Sequence, residues 1–397
     1  MRWFVLFLLL WSVPVWSKIY IDITNPASHK IGVALENVGL PLKDFDRVLV
    51  SDLRVYGIFA LYPLERYRLT GAELRLIGAD LLLHVDKSVF GSRFKVAYTI
   101  RDLTDGSTVE EGTFEGGLSR QVDAAHRIAD ALYKAVTGSE GMFSRRAVAF
   151  RRVAGGYELV LVDVGAVSYK RLAFFKEPAQ SPALSPDGRK IIFSKMNKAG
   201  EFDLYLYDLE TGRYSRVCRT PCPDTAPSWM PDSRRVVFSG CVDRDNLDIL
   251  VCDVETGRIT KRVTRSIAID TSPSLSPDGK RVAFVSNRER YPHIYIKGLD
   301  ASGAVRITGG HYDVSPDWSP RGNEVAFASL MEGRFAVGVY NLDTGATKYL
   351  APGEDPAWSP NGDYILYTRR GGLYISSVYG SGEIRLFVGG WTNPSWR

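Results

Sequence analysis

Five segments of the chain repeat one another closely enough to dictate its architecture. They read S-P-A-L-S-P-D-G from Ser181, A-P-S-W-M-P-D-S from Ala226, S-P-S-L-S-P-D-G from Ser272, S-P-D-W-S-P-R-G from Ser315 and D-P-A-W-S-P-N-G from Asp355. A truncated copy, N-P-S-W, stands at Asn393. The leading prolines fall at 182, 227, 273, 316, 356 and 394, at intervals of 45, 46, 43, 40 and 38 residues. Four short strands with their turns need that length, which is the period of a propeller blade.

Each repeat parses in the same way. The S-P-x-W segment is a first strand, and P-D-G or a variant is a tight turn in which Pro presets φ and Gly tolerates a positive one. A second strand alternates apolar residues, as in Val236-Val237-Phe238 or Val325-Ala326-Phe327, and a third follows, as in Asp248 to Val254. A turn such as Glu255-Thr256-Gly257 leads into the fourth. Before the first S-P motif, the segments 146–152, 157–162 and 170–174 read as strands two to four of a blade without its first strand. Residues 393–396 supply that strand, so the ring is expected to close as six blades over residues 145–397 and to leave no open edge. Trp229, Trp318, Trp358 and Trp396 share one slot in the first strand and read as packing groups between blades.

The residues before the repeat follow another grammar. Residues 1–17 combine Arg2, an apolar run from Trp3 to Trp11 and a Val15-Trp16-Ser17 cleavage pattern, which together read as a secretory signal peptide. The run is shorter than the ~20 residues that span a bilayer, so no transmembrane anchor is expected. Residues 18–140 read as an α/β domain. Ile31 to Leu35 is a short strand, Leu42 to Tyr56 and Ala72 to Ile77 are helices, and Asp80–Asp86, Phe94–Leu103 and Thr108–Phe114 are strands. A helix from Ser119 to Val136 ends at Gly138. The short connection that follows, 138–144, predicts two domains that dock firmly.

Composition leaves the chemistry quiet. A formal charge of +5 from 50 basic and 45 acidic residues contains no Lys/Arg run that would track phosphates, so nucleic acid is not an expected partner. No G-x-S-x-G, P-loop, H-E-x-x-H or G-x-G-x-x-G pattern occurs, and His29, His84, His126, His293 and His311 are scattered. Neither catalysis, nor a metal, nor a cofactor is expected. Four cysteines, Cys218, Cys222, Cys241 and Cys252, suit an oxidising compartment, and their three possible pairings stay open. One pattern repeats without an evident role: Asp224, Asp270 and Asp313 each stand three residues before a first-strand proline. They read either as turn caps or as an acidic rim that accepts cationic groups of a partner, or a bound cation, in the funnel.

With its signal segment, α/β domain and closing strand, the chain resembles the TolB family, periplasmic propeller proteins of the Tol-Pal envelope system. The resemblance also rests on Asp52-Leu53-Arg54-Val55-Tyr56-Gly57, on Ala79-Asp80 opening a strand and on Thr137-Gly138 closing a helix. It implies a non-enzymatic adaptor that supports outer-membrane integrity and cell division. The lipoprotein Pal would dock on the propeller mouth through Asp224, Thr225, Ala226, Asp270, Thr271, Ser272 and Asp313. TolA would contact the mature amino-terminal segment Lys18, Ile19, Tyr20, Ile21, Asp22 and Ile23, whose alternation suits strand addition to a partner sheet. A secreted propeller that binds a small ligand or glycan in its channel is the rival expectation.

Overall fold

A computed structural model describes residues 30–37, 42–64, 69–243, 246–380 and 382–396. The expected signal peptide and the segment Lys18 to Ile23 lie outside the described residues. The chain folds as a mixed α/β sheet followed by a six-bladed propeller.

The first domain runs β1 (Ile31–Glu36), α1 (Lys43–Tyr56), β2 (Phe59–Leu64), α2 (Gly71–Leu76), β3 (Leu81–Phe90), β4 (Arg93–Asp102), β5 (Thr108–Gly117) and α3 (Gln121–Thr137). Its sheet has the order β2-β1-β3-β4-β5, with β1 parallel to both neighbours and β3, β4 and β5 in antiparallel succession. The strand β2 is absent from the sequence reading because Pro63 interrupts it. An edge strand tolerates such a proline, since its outward N–H has no ladder partner to lose. Helix α1 buries Phe45, Val48, Leu49, Leu53 and Tyr56 along one face and stops at Gly57 in the left-handed region (φ 72°). Helix α3 buries Ala125, Ile128, Ala129, Leu132, Tyr133 and Val136 in the same core and stops at Gly138 (φ 73°).

Six four-stranded antiparallel sheets form the propeller. In the closing blade, Trp391–Trp396 pairs with Ala147–Val153, with Trp391 opposite Arg151 and Trp396 opposite Ala147. The two ends of the propeller therefore seal each other, as the truncated repeats predict. The tryptophan slot packs between blades: Trp229, Trp318, Trp358 and Trp396 are buried, as are Leu184 and Leu275 in the equivalent places. Trp229 Nε1 donates to the Ala183 carbonyl of the preceding blade at 2.9 Å, and Trp358 Nε1 donates to that of Asp317 at 3.0 Å.

The α/β domain sits on the face of the propeller where the P-x-G turns lie. Tyr133 Oη donates to Asp363 at 2.9 Å, Tyr364 Oη to the Tyr56 carbonyl at 2.6 Å, and Asn361 Nδ2 to the Glu140 carbonyl at 2.9 Å. His126 of α3 lies buried between two carboxylates, Asp52 of α1 (2.7 Å from Nδ1) and Asp163 of the closing blade (3.1 Å from Nε2). Burial alone would lower the imidazole pKa. The bonds to Asp163 and Asp52 outweigh it and hold His126 up at about 10. Burial pushes the Asp52 carboxyl up to about 7, against the pull of His126. A side chain at Gly165 would collide with Asp52, so the approach of the two domains at this point requires glycine.

Candidate functional site

First strands start at the face opposite the P-x-G turns, so the covered face and the open mouth are opposite ends of the propeller. At the mouth every first strand carries a register shift around its proline. The residue before that proline is left-handed in all six blades: Ser181 (φ 52°), Ala226 (50°), Ser272 (52°), Ser315 (52°), Asp355 (51°) and Asn393 (46°). Non-glycine residues seldom adopt this conformation, and a following proline discourages the right-handed alternative. The bulge turns these six residues toward the axis. With their prolines they line a cavity of about 140 Å³.

Side chains at this level join neighbouring blades. Asp355 accepts from Ser315 Oγ at 3.3 Å and from the Asn393 amide at 3.2 Å, and Asn393 Oδ1 accepts from the Ser181 amide at 3.4 Å. Burial raises the Asp355 carboxyl pKa despite these donors.

The three repeated aspartates are not a rim. Asp224, Asp270 and Asp313 are each 0% exposed. Asp224 accepts from Thr220 Oγ1 at 2.6 Å and from the Thr220 amide at 3.2 Å, which closes the loop before the first strand of the second blade. Its carboxyl is pushed up to about 7, chiefly by burial. Asp270 receives Arg288 Nη2 at 3.1 and 3.2 Å. Asp313 accepts from the Gly310 amide at 3.1 Å and lies 3.5 Å from His293 Nδ1, while its Oδ1 has no partner among the described residues. Of the two expectations for these residues, the turn cap describes Asp224 and Asp313, Asp270 instead pairs with Arg288, and the acidic rim is corrected by the burial of all three. A backbone position at the mouth does not carry the carboxylate to the surface: Asp224 and Asp313 turn back onto their own loops, and Asp270 is drawn onto Arg288 of the adjoining hairpin.

Of the other four mouth residues expected to touch Pal, two reach the funnel wall. Thr225, Ala226, Thr271 and Ser272 are half-buried, and Ala226 and Ser272 line the cavity. Thr271 Oγ1 and Ser272 Oγ are 3.1 Å apart, and the Ser272 amide donates to Ser239 Oγ of the neighbouring blade at 3.0 Å.

Two disulfides resolve the open cysteine pairing. Cys218 bonds Cys252, tying the end of the first blade to the third strand of the second, and Cys222 bonds Cys241. The latter clamps the loop before a first strand to the hairpin between strands two and three of the same blade, both at the mouth. Sequence reasoning missed the apolar side chains beside this clamp. Ile267 is 103% exposed, and Ile269 and Val242 are each 46% exposed. The alternation Ile267-Ala268-Ile269 just before Asp270 could have marked them. Among the described residues no group of three or more His, Cys, Asp or Glu could hold a metal, and no helix is long and apolar enough to cross a membrane.

A family model for the TolB beta propeller domain matches residues 133–397. The Tol-Pal system protein TolB of Methylococcus capsulatus is 29% identical over 208 residues, which are 48% of this chain and 49% of that protein. Its counterpart in Nitrosomonas europaea is 30% identical over 210 residues, 48% of each chain. The chain thus spans about half the length of the curated relatives it matches. The crystal structure of TolB from Acinetobacter baumannii superposes with a TM-score of 0.83 at 26% identity, over 93% of this chain and 96% of that one. A chain of the nidogen/laminin complex, 10% identical with a TM-score of 0.53, covers 63% of this chain and 97% of its own length and shares the fold alone.

Proposed function

This chain belongs to the TolB propeller family, and from that premise we propose that it is a periplasmic adaptor of the Tol-Pal cell-envelope system. It is exported by its amino-terminal segment, residues 1–17, and performs no catalysis of its own. It holds the lipoprotein Pal at the propeller mouth and TolA through Lys18 to Ile23, and so supports outer-membrane integrity and cell division.

The observation that carries this reading is the division of the propeller into a covered face and an open one. Contacts from Tyr133, Tyr56 and Glu140 occupy the P-x-G face, while all six first strands start at the mouth, which no element covers among the described residues. A rigid concave site whose wall is built by a ring of blades suits a folded partner. The rival occupant, a glycan or small ligand in the channel, is not favoured. A cavity of about 140 Å³ is well below the roughly 300–1,000 Å³ of ordinary ligand pockets.

TolA and Pal binding are coupled in this reading, the amino-terminal strand passing between docked and free as the mouth fills or empties. Calorimetry with the mature protein tests it. Removal of residues 18–24 is expected to abolish TolA binding and to shift the Pal affinity; a protein that binds both as tightly as before would refute the coupling.

A further inference from the structure

The mouth that this reading assigns to a partner carries a charge that its motifs conceal. Lys198, Arg219, Arg265, Arg290, Arg334 and Arg370 lie on loops or hairpins of this face, from the first blade to the fifth. All six are exposed, and none pairs with a carboxylate among the described residues. The acids of the same loops are largely spoken for. Asp243 is held by Arg262 at 2.7 Å, Glu289 by Arg306 at 2.7 Å and Glu177 by Lys195 at 3.9 Å. With Asp224, Asp270 and Asp313 also buried, Glu201, Glu332 and Glu354 are left, among the described residues, to oppose the cations. A concave, low-dielectric site whose rim carries an excess of one sign of charge focuses its field outward.

One sector of this ring is apolar and rigid. Ile267 stands fully in water, flanked by the half-exposed Ile269. Their loop is fastened to the neighbouring hairpin by Asn246 Nδ2, which donates to the carbonyls of Ser266 and Ala268, and that hairpin carries Val242 next to the Cys222–Cys241 bond. The anchor is therefore held in place before anything binds it, which cuts the ordering cost of association.

We infer that the mouth is a cationic docking ring with one apolar anchor, shaped for an acidic face of a folded protein that offers Ile267 an apolar hollow. This rests on the mouth being the partner site proposed above. Anionic lipid also attracts basic and apolar groups, but a bilayer is flat. Here the apolar side chains are confined to one sector around a concave centre, which fits a protein surface.

The test uses the full mature chain, its variant Arg219→Glu/Arg265→Glu/Arg290→Glu and its variant Ile267→Ser/Ile269→Ser, with unchanged melting as a folding control. The probes are the soluble domain of Pal, poly-L-glutamate, and vesicles containing phosphatidylglycerol. Association of the parent chain with Pal is expected to slow roughly tenfold between 20 and 200 mM salt, as electrostatic steering does. The charge variant should lose that dependence and bind at least about tenfold more weakly, and the isoleucine variant should keep it but dissociate faster. Salt-independent association with Pal, or a charge variant that binds Pal as the parent does, would overturn the inference. So would vesicle binding that the charge variant loses while its Pal affinity stays intact. Should Pal fail to bind the parent chain at all, the adaptor reading falls, and poly-L-glutamate still decides: capture by the parent but not by the charge variant upholds the cationic ring, and equal capture refutes it.

Discussion

Asp224, Asp270 and Asp313 occupy equivalent places in three blades, yet each meets a different partner: a threonine, an arginine and a backbone amide beside a histidine. What they share is complete burial. For Asp224 the folded-state pKa of about 7 lies above the ordinary 3.8. The folded chain therefore keeps a proton that the unfolded chain has already released, and stability is lost as pH rises from about 4 through 7. Asp224→Asn, which removes the ionisation and leaves an oxygen for Thr220, is expected to flatten the fall in melting temperature between pH 5 and 8. Thermal melts of both proteins across that range check it, and identical slopes would contradict the assignment.

At the scale of the element, the second blade is stapled twice. The bond Cys222–Cys241 closes a separation of 19 residues, and Cys218–Cys252 closes one of 34 and crosses between blades. Loop-closure entropy assigns about 3–4 kcal/mol to each. Cys222→Ser/Cys241→Ser is expected to lower the melting temperature by roughly 6–12 °C for a domain of this size. It should also loosen the loop that carries Thr225 and Ala226, visible as faster amide exchange there than in the Ser315 loop. The same scale explains why every first strand is bulged. The left-handed residue before each proline bulges toward the axis, and the six together wall a narrow funnel.

For the whole molecule, the union of the two domains is the feature most exposed to pH. His126 is held at about 10, above its ordinary 6.5, so its bridge between Asp52 and Asp163 stabilises fully below about 6.5 and is lost as pH rises through 10. Asp52, raised to about 7 from 3.8, adds a loss between about 4 and 7. Asp163 is lowered, its burial overcome by His126, so its contribution fails only in acid below the ordinary carboxylate range. Arg146 and Asp130 complete the charges around the cluster. Docking should therefore be tightest in mild acid and weaken toward alkaline pH. Trypsin cleavage at Arg145 and Arg146, normalised for protease activity, is expected to run faster at pH 9 than at pH 6, and His126→Gln should remove most of the difference.

The number of blades, their turns and the seal between Asn393–Trp396 and the strand after Arg146 were all legible in the sequence. Period, proline and glycine act through local backbone geometry, which survives in a one-dimensional pattern. Helices α1 and α3 were equally legible from their apolar faces. The edge strand with Pro63, the partners of the four cysteines, the depth of Asp224, Asp270 and Asp313, and the basic rim were decided only in three dimensions. Each of these depends on what a distant segment places beside the residue, and burial and charge pairing are properties of neighbours that sequence order does not name.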